Sequence, residues 1–70
     1  MKEKNKMVNI YNNFVNFVNF VNNNTNNYYD YKTVDDIVDA YDYEDYEMYV
    51  CDFTNGNMND YNTLMNVWNR

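Results

Sequence analysis

The chain has 70 residues, a formal net charge of −6 at pH 7, and neither histidine nor proline. A chain of this length buries only about 60% of the surface that its unfolded form exposes, so one core gives limited stability. Its single cysteine excludes an internal disulfide, and the lack of histidine excludes the common His/Cys zinc sites. We expect one small domain over residues 1–70, with a flexible start at residues 1–9, that uses no metal or cofactor and gains stability from a second copy or a partner.

The start of the chain carries Lys2, Lys4 and Lys6, as a signal peptide does. However, the apolar run that follows is broken every third residue by Asn and has no small-residue cleavage site. A membrane-spanning helix needs about 20 consecutive apolar residues, and this run does not supply them. We therefore expect no secretion and no membrane insertion, and a cytoplasmic location.

The composition contains seventeen Asn and nine Tyr, but one Gly and no Pro. Asn, Tyr, Lys, Ile and Phe have AT-rich codons, whereas Gly, Ala, Pro and Arg mostly do not. The composition is therefore typical of a very AT-rich genome, which fits a mobile element or virus of a low-GC bacterium or archaeon as well as a protist.

Residues 10–21 contain three tandem copies of Asn-Phe-Val. Their apolar residues recur at helical offsets and would form one stripe, which predicts an amphipathic helix. The stripe consists of Ile10, Phe14, Phe17, Val18 and Val21. It fits a core helix, a dimer seam or a membrane-surface helix, although the absence of Lys and Arg from the polar face argues against the membrane.

Residues 22–27 contain only Asn and Thr, whose side chains compete for their own backbone, so we expect a loop there. The following residues 28–31 fit either a short strand or a segment that packs across the loop. At Thr33 a helix start is indicated, with Asp36 three residues later in the capping position. Its apolar face is Val34, Ile37, Val38 and Tyr41.

Residues 46–53 are rich in β-forming side chains and precede Asn55-Gly56, which predicts a strand and a tight turn. Asp60 then caps a closing helix with one apolar face. That face comprises Tyr61, Leu64, Met65 and Trp68. The order helix, loop, helix, strand, helix predicts a small α+β domain that is mostly helical.

Nine of the eleven carboxylates lie between Asp30 and Asp52, with Lys32 as the only base among them, and seven of the nine tyrosines lie in residues 28–52. Asp35 and Asp39, four apart on a helix, lie about 5 to 6 Å from each other. Each strand of duplex nucleic acid presents a charge every 3.4 Å of helix axis, so carboxylates held at fixed, comparable spacings can imitate phosphates. We expect the partner to be a protein with a basic nucleic-acid-binding groove, and a homodimer is a second expectation. The candidate partner-binding residues are Asp35, Asp36, Asp39, Asp42, Tyr43, Glu44, Asp45, Tyr46, Glu47 and Tyr49.

The segment Glu-Met-Tyr-Val-Cys-Asp-Phe at residues 47–53, with Asn-Asp-Tyr-Asn-Thr-Leu at residues 59–64, resembles a strand, loop and helix pattern in ArdA antirestriction proteins. Those are acidic DNA mimics of plasmids and phages that occupy the DNA groove of restriction and modification enzymes. Small phage anti-CRISPR proteins are similar in size and charge. The resemblance implies an anti-defence inhibitor that blocks a host nuclease.

No catalytic set is present, because the chain lacks His and Ser, and Cys51 has no basic neighbour. The acidic and amide residues around Gly56 miss the spacing of a calcium loop. The net charge disfavours direct nucleic-acid binding. We therefore expect a binding protein and no enzyme. Two alternatives to mimicry stay open, which are a merely solvated acidic face and a small structural or regulatory protein that dimerises through the Phe-Val helix.

Overall fold

The computed structural model describes the backbone of residues 2–69 and the side chains of residues 12–69. It contains four helices, α1 (Lys2–Asn24), α2 (Val34–Ala40), α3 (Tyr43–Thr54) and α4 (Met58–Trp68). No strand occurs in this part of the chain, so the fold is a compact all-helical one. The mostly helical expectation is confirmed, and the predicted α+β class is not.

All four helices contribute to one core. α3 packs against α4, while α1 contacts α2 and α3. The Phe17 ring lies edge-on to Tyr46, with centroids 5.8 Å apart, and to Phe53 at 5.4 Å. Six side chains are fully buried, namely Phe17 and Val21 of α1, Ile37 of α2, Tyr46 and Val50 of α3, and Leu64 of α4.

The first helix is longer than its apolar stripe predicts, and the loop begins at Thr25 rather than at Asn22. Asn22 stays helical because its side chain is occupied elsewhere. Its amide donates to the Tyr31 carbonyl at 2.9 Å and its oxygen accepts from the Tyr31 N–H at 2.8 Å. The Asn24 side chain donates back to the Phe20 carbonyl at 2.8 Å. These bonds satisfy side chains that would otherwise compete with the helix.

The second helix confirms its sequence signature. Thr33 Oγ1 accepts from the Asp36 N–H at 3.2 Å, and the Asp36 carboxylate accepts from the Thr33 N–H at 3.2 Å, which completes a capping box. Val34 and Ile37 are buried. α2 ends at Ala40, so a row of carboxylates that includes Asp35 and Asp39 does not extend along the same helix to Asp42.

The predicted strand over residues 46–53 is wrong, because these residues form α3. Tyr46, Val50 and Thr54 are four apart and all buried, which places them on one helical face against the core. Asp42 caps this helix, with its carboxylate accepting from the Asp45 N–H at 3.0 Å. Packing and capping thus override the β propensity of Tyr, Val and Phe.

The Asn55-Gly56 pair closes α3 and does not form a hairpin turn. Asn55 adopts a left-handed conformation with φ of 49°, and its N–H bonds the Cys51 carbonyl. Gly56 follows with φ of 91°. A left-handed residue after the last helical turn is a common helix ending.

The closing helix begins earlier than predicted, since Asn57 and not Asp60 is its cap. The Asn57 side chain accepts from the Asp60 N–H at 3.1 Å. Asp60 instead accepts from the Asn13 amide at 2.8 Å, which ties α4 to α1. The predicted apolar face is confirmed, with Leu64 and Met65 buried, and Val67 joins it. No helix within the described residues is long and apolar enough to cross a bilayer.

Candidate partner-binding surface

The carboxylates of the acidic stretch, residues 30–52, lie mostly at the surface. Of its nine carboxylates, Glu47 is half-buried and the other eight are exposed. Lys32, the only base in this stretch, is exposed and pairs with Asp30 at 2.8 Å. The exposed carboxylates are Asp30, Asp35, Asp36, Asp39, Asp42, Glu44, Asp45 and Asp52.

Three of the predicted partner-binding carboxylates serve the fold itself. Asp36 and Asp42 cap α2 and α3, as described above. Glu47 accepts a hydrogen bond from the Tyr61 hydroxyl at 2.6 Å, which joins α3 to α4. These residues contribute to folding whether or not they also meet a partner.

Four other carboxylates have no such role. Within the described part of the chain, their side chains make no hydrogen bond or ion pair. We call them the unpaired carboxylates, and they are Asp39, Glu44, Asp45 and Asp52. Glu44 and Asp45 lie in the first turn of α3, where their charge favours the helix dipole. Because no side chain of the described residues bonds the four carboxylates, their oxygens are the ones best placed to bind another molecule.

The three tyrosines among the predicted partner-binding residues, which would anchor a partner through their rings, have different environments. Tyr43 is 45% exposed, with its ring edge-on to Trp68 at 5.6 Å. Tyr49 is half-buried against the core. Tyr46 is fully buried and its hydroxyl donates to the Leu64 carbonyl at 2.6 Å, so it is a core residue and not an available anchor.

Two exposed tyrosines were missed in the sequence. Tyr28 and Tyr29 are 81% and 58% exposed, and their rings meet edge to face at 4.9 Å. The loop that carries them is fixed by the Asn22 bonds to Tyr31 and by left-handed backbone at Asn26 and Asn27. Two adjacent large side chains in a loop are a signal of exposure, because a small core seldom accommodates both.

The tyrosines also form a continuous row from the loop to α3. Ring centroids are 5.5 Å apart for Tyr29 and Tyr31, 6.0 Å for Tyr31 and Tyr41, and 5.3 Å for Tyr41 and Tyr49. Burial raises the pKa of Tyr41 far above its ordinary value, and the neighbouring Tyr31 and Tyr49 phenols raise it further. The row is an aromatic strip that reaches the carboxylates of α3.

Tyr61 of α4 donates its hydrogen bond to Glu47 on the flank of α3 that faces α4. This bond raises the pKa of Tyr61 to about 12, and burial is a smaller cause. The bond holds Tyr61 as a neutral donor at physiological pH. Cys51 on the same helix is exposed and has a free thiol. No group of three or more His, Cys, Asp or Glu side chains in the described part of the chain is arranged to hold a metal ion.

The apolar stripe of α1 bears on the dimer alternative. Phe17, Val18 and Val21 lie in the core of their own chain and Phe14 packs against it, whereas Ile10 falls outside the described side chains. Val15, which the stripe does not include, is 40% exposed at an open cleft of about 290 Å³. A substitution of Phe17 would thus test folding, and Val15 is the position that tests a seam between copies.

Comparisons with models of protein families, with curated proteins and with solved structures found no match to this chain. The resemblance to ArdA modules therefore depends on residues 47–53 and 59–64 alone. The first of these segments, which was matched to a strand, is helical here. The second lies within α4, in agreement with the helix of that pattern.

Proposed function

We propose that this protein is a virus- or plasmid-encoded anti-defence inhibitor, of anti-CRISPR or antirestriction type, that acts in the host cytoplasm as an acidic nucleic-acid mimic. It would block the DNA- or RNA-binding groove of a host nuclease complex. The observation that carries this proposal is the exposure of the unpaired carboxylates, whose charge has no counterpart in the described part of the chain.

The charge balance supports a cationic partner. Nine carboxylates and one lysine between Asp30 and Asp52 give this stretch a net charge of −8. Concentrated like charges repel each other and reduce the stability of the compact state. A basic groove would relieve that repulsion, and the attraction would speed the encounter.

The spacing on α3 is compatible with mimicry. Asp45 and Asp52 are seven residues apart on one helix, which separates them by about 10.5 Å along its axis. Phosphates of one strand recur every 3.4 Å of duplex axis, so the axial separation of the two carboxylates is close to three nucleotide steps. Two carboxylates held on one helix therefore match the axial component of the phosphate spacing.

The proposal is tested by neutralising the unpaired carboxylates together, as Asp39→Asn, Glu44→Gln, Asp45→Asn and Asp52→Asn. The protein is expressed in host strains that carry a restriction or a CRISPR system, and phage plating efficiency is measured. Wild-type protein should protect the phage, and the neutralised protein should not. With the purified nuclease, affinity should fall at least tenfold, or about 1.4 kcal/mol, with a weaker salt dependence.

A matched control distinguishes the effect of where the carboxylates lie from the effect of the protein's net charge. Asn12, Asn16, Asn19 and Asn66 are exposed. Changing all four to Asp in the neutralised protein restores the net charge without restoring the surface, so inhibition should remain lost. Replacing Lys2, Lys4 and Lys6 with Gln should preserve or improve inhibition. A folded neutralised protein that inhibits at full strength would show the acidic surface to be merely solvated.

A further inference from the structure

An open cleft of about 330 Å³ lies between the end of α2 and the outer flank of α3. We call it the α3 cleft. It combines aromatic, thioether and carboxylate side chains. Its lining residues are Tyr41, Asp45, Met48, Tyr49 and Asp52.

The wall of the α3 cleft is aromatic and fixed. The Tyr41 and Tyr49 rings are 5.3 Å apart at an interplanar angle of 62°, and both pack against the core. The Tyr31 ring packs against Tyr41, with their centroids 6.0 Å apart. The face of a tyrosine ring attracts a cation, most strongly where water is partly excluded.

The rim carries a thioether and two charges. Met48 is 65% exposed, and its flexible, polarizable side chain can adapt to a bound group. Asp45 and Asp52 lie on the same helical face as Tyr49, at opposite ends of the cleft. Both belong to the unpaired carboxylates, so their oxygens are available to a donor.

We infer that the α3 cleft is a receptor for an arginine side chain on the surface of the protein partner. A guanidinium is planar, so it can stack on a tyrosine ring while it donates two parallel hydrogen bonds to Asp45 or Asp52. A lysine ammonium is a compact, strongly hydrated charge that gains less from stacking. Two carboxylates exclude an anionic ligand such as a nucleotide.

This inference rests on the proposed function for the source of the arginine, namely a basic groove that normally contacts phosphates. Arginine is the residue that pairs with phosphate in a bidentate manner, so such grooves present it. The same guanidinium would meet a carboxylate in place of a phosphate. The chemistry of the α3 cleft can nevertheless be tested without that partner.

The test uses the full chain labelled with ¹³C at the methionine methyl groups, with a blocked Gly-Arg-Gly peptide as the probe. The Met48 methyl resonance should shift and saturate, while that of Met58, which is 62% exposed outside the cleft, should not. A blocked Gly-Lys-Gly peptide should bind at least threefold more weakly. The Asp45→Asn, Asp52→Asn double variant should lose at least tenfold in affinity for the arginine peptide.

A matched control changes the net charge equally at a distance from the cleft. Asn59 and Asn62 are exposed on α4, and replacing both with Lys adds the same two units of positive charge. This variant should bind the arginine peptide within twofold of wild type. Equal losses in the two variants, or equal shifts of Met48 and Met58 with either peptide, would show general attraction and overturn the inference.

The outcomes also separate this inference from the proposed function. If the Asp45→Asn, Asp52→Asn protein inhibits the nuclease fully while neutralising Asp39 and Glu44 abolishes inhibition, the proposed function stands and the receptor is overturned. If the arginine peptide binds as expected but the protein inhibits no nuclease, the receptor is supported and the proposed function fails.

Discussion

The two flanks of α3 use similar side chains in opposite ways. On the flank toward α4, the Glu47 carboxylate accepts from the Tyr61 hydroxyl and stays half-buried. On the flank toward α2, Asp45 and Asp52 are exposed beside Tyr49 and belong to the unpaired carboxylates. Polar groups that join helices are satisfied inside the molecule. The comparison shows that a high density of acidic residues does not by itself identify a binding surface. A carboxylate without a bonding partner in its own fold is a better candidate for binding another molecule.

The largest expected effect is the loss of stability when a core side chain is truncated, because the exposed flank of α3 contributes little to the core. Phe17 is fully buried, so Phe17→Ala leaves a cavity and should reduce the free energy of unfolding by about 3–5 kcal/mol. A small domain has little stability to spare, so the variant should be largely unfolded. Urea denaturation followed by circular dichroism measures this loss. Val15→Ala on the same helix, at a 40% exposed position, should be nearly neutral, and equal losses would contradict the assigned core.

An intermediate effect is expected at the base of the tyrosine loop. Asn22 is 6% exposed and bonds both the N–H and the carbonyl of Tyr31. Asn22→Ala should cost about 1–3 kcal/mol, because the partly buried N–H and carbonyl of Tyr31 lose their partner. The amide of Tyr31 should then exchange its hydrogen faster, as NMR can measure. The exposed Asn19 gives the matched control, and a Tyr31 amide that stays protected would refute the role of Asn22.

The smallest effect concerns the flank of α3 that is satisfied internally. The pKa of Tyr61 is raised to about 12, above the value of about 10 in an unfolded chain. The folded state therefore holds this proton more tightly, so its contribution to stability is complete below about pH 10 and is lost as pH rises through 12. Urea midpoints between pH 9 and 12 should fall more steeply for wild type than for Tyr61→Phe.

Glu47→Gln serves as the control for that titration. It keeps a hydrogen-bond acceptor near the Tyr61 hydroxyl and removes the negative charge, so the Tyr61 pKa should move back toward its ordinary value. If the urea midpoints of all three proteins fall equally with pH, the bond between Tyr61 and Glu47 is not a source of pH-dependent stability.

The sequence predicted α2 and α4 because their signals are local. A capping box at Thr33 needs only the next three residues, and the apolar face of α4 repeats at helical spacing. α3 was missed because Tyr46, Tyr49 and Val50 favour strands individually. Their helical state depends on the cap at Asp42 and on packing against α1 and α4, which a local pattern does not contain.

The candidate surface was predictable only in outline. The charge density of residues 30–52 predicts carboxylates at the surface, and eight of the nine are exposed while Glu47 is half-buried. Their division into capping, bonded and unpaired groups depends on where each helix begins. The predicted role of Tyr46 in partner binding is wrong, because the helical state of α3 turns its side chain into the core toward Phe17 and Leu64.

The backbone of the loops has a consequence for how such a chain makes turns. Asn26, Asn27, Asp30 and Asn55 all have positive φ, a conformation that most residues avoid and that glycine usually supplies. Asn and Asp tolerate it because their short side chains can bond nearby backbone. With one glycine and no proline in its sequence, this protein therefore reverses its chain with a nearly glycine-free set of residues. Asparagine, often dismissed as filler in AT-rich genomes, acts here as the substitute that keeps sharp turns available.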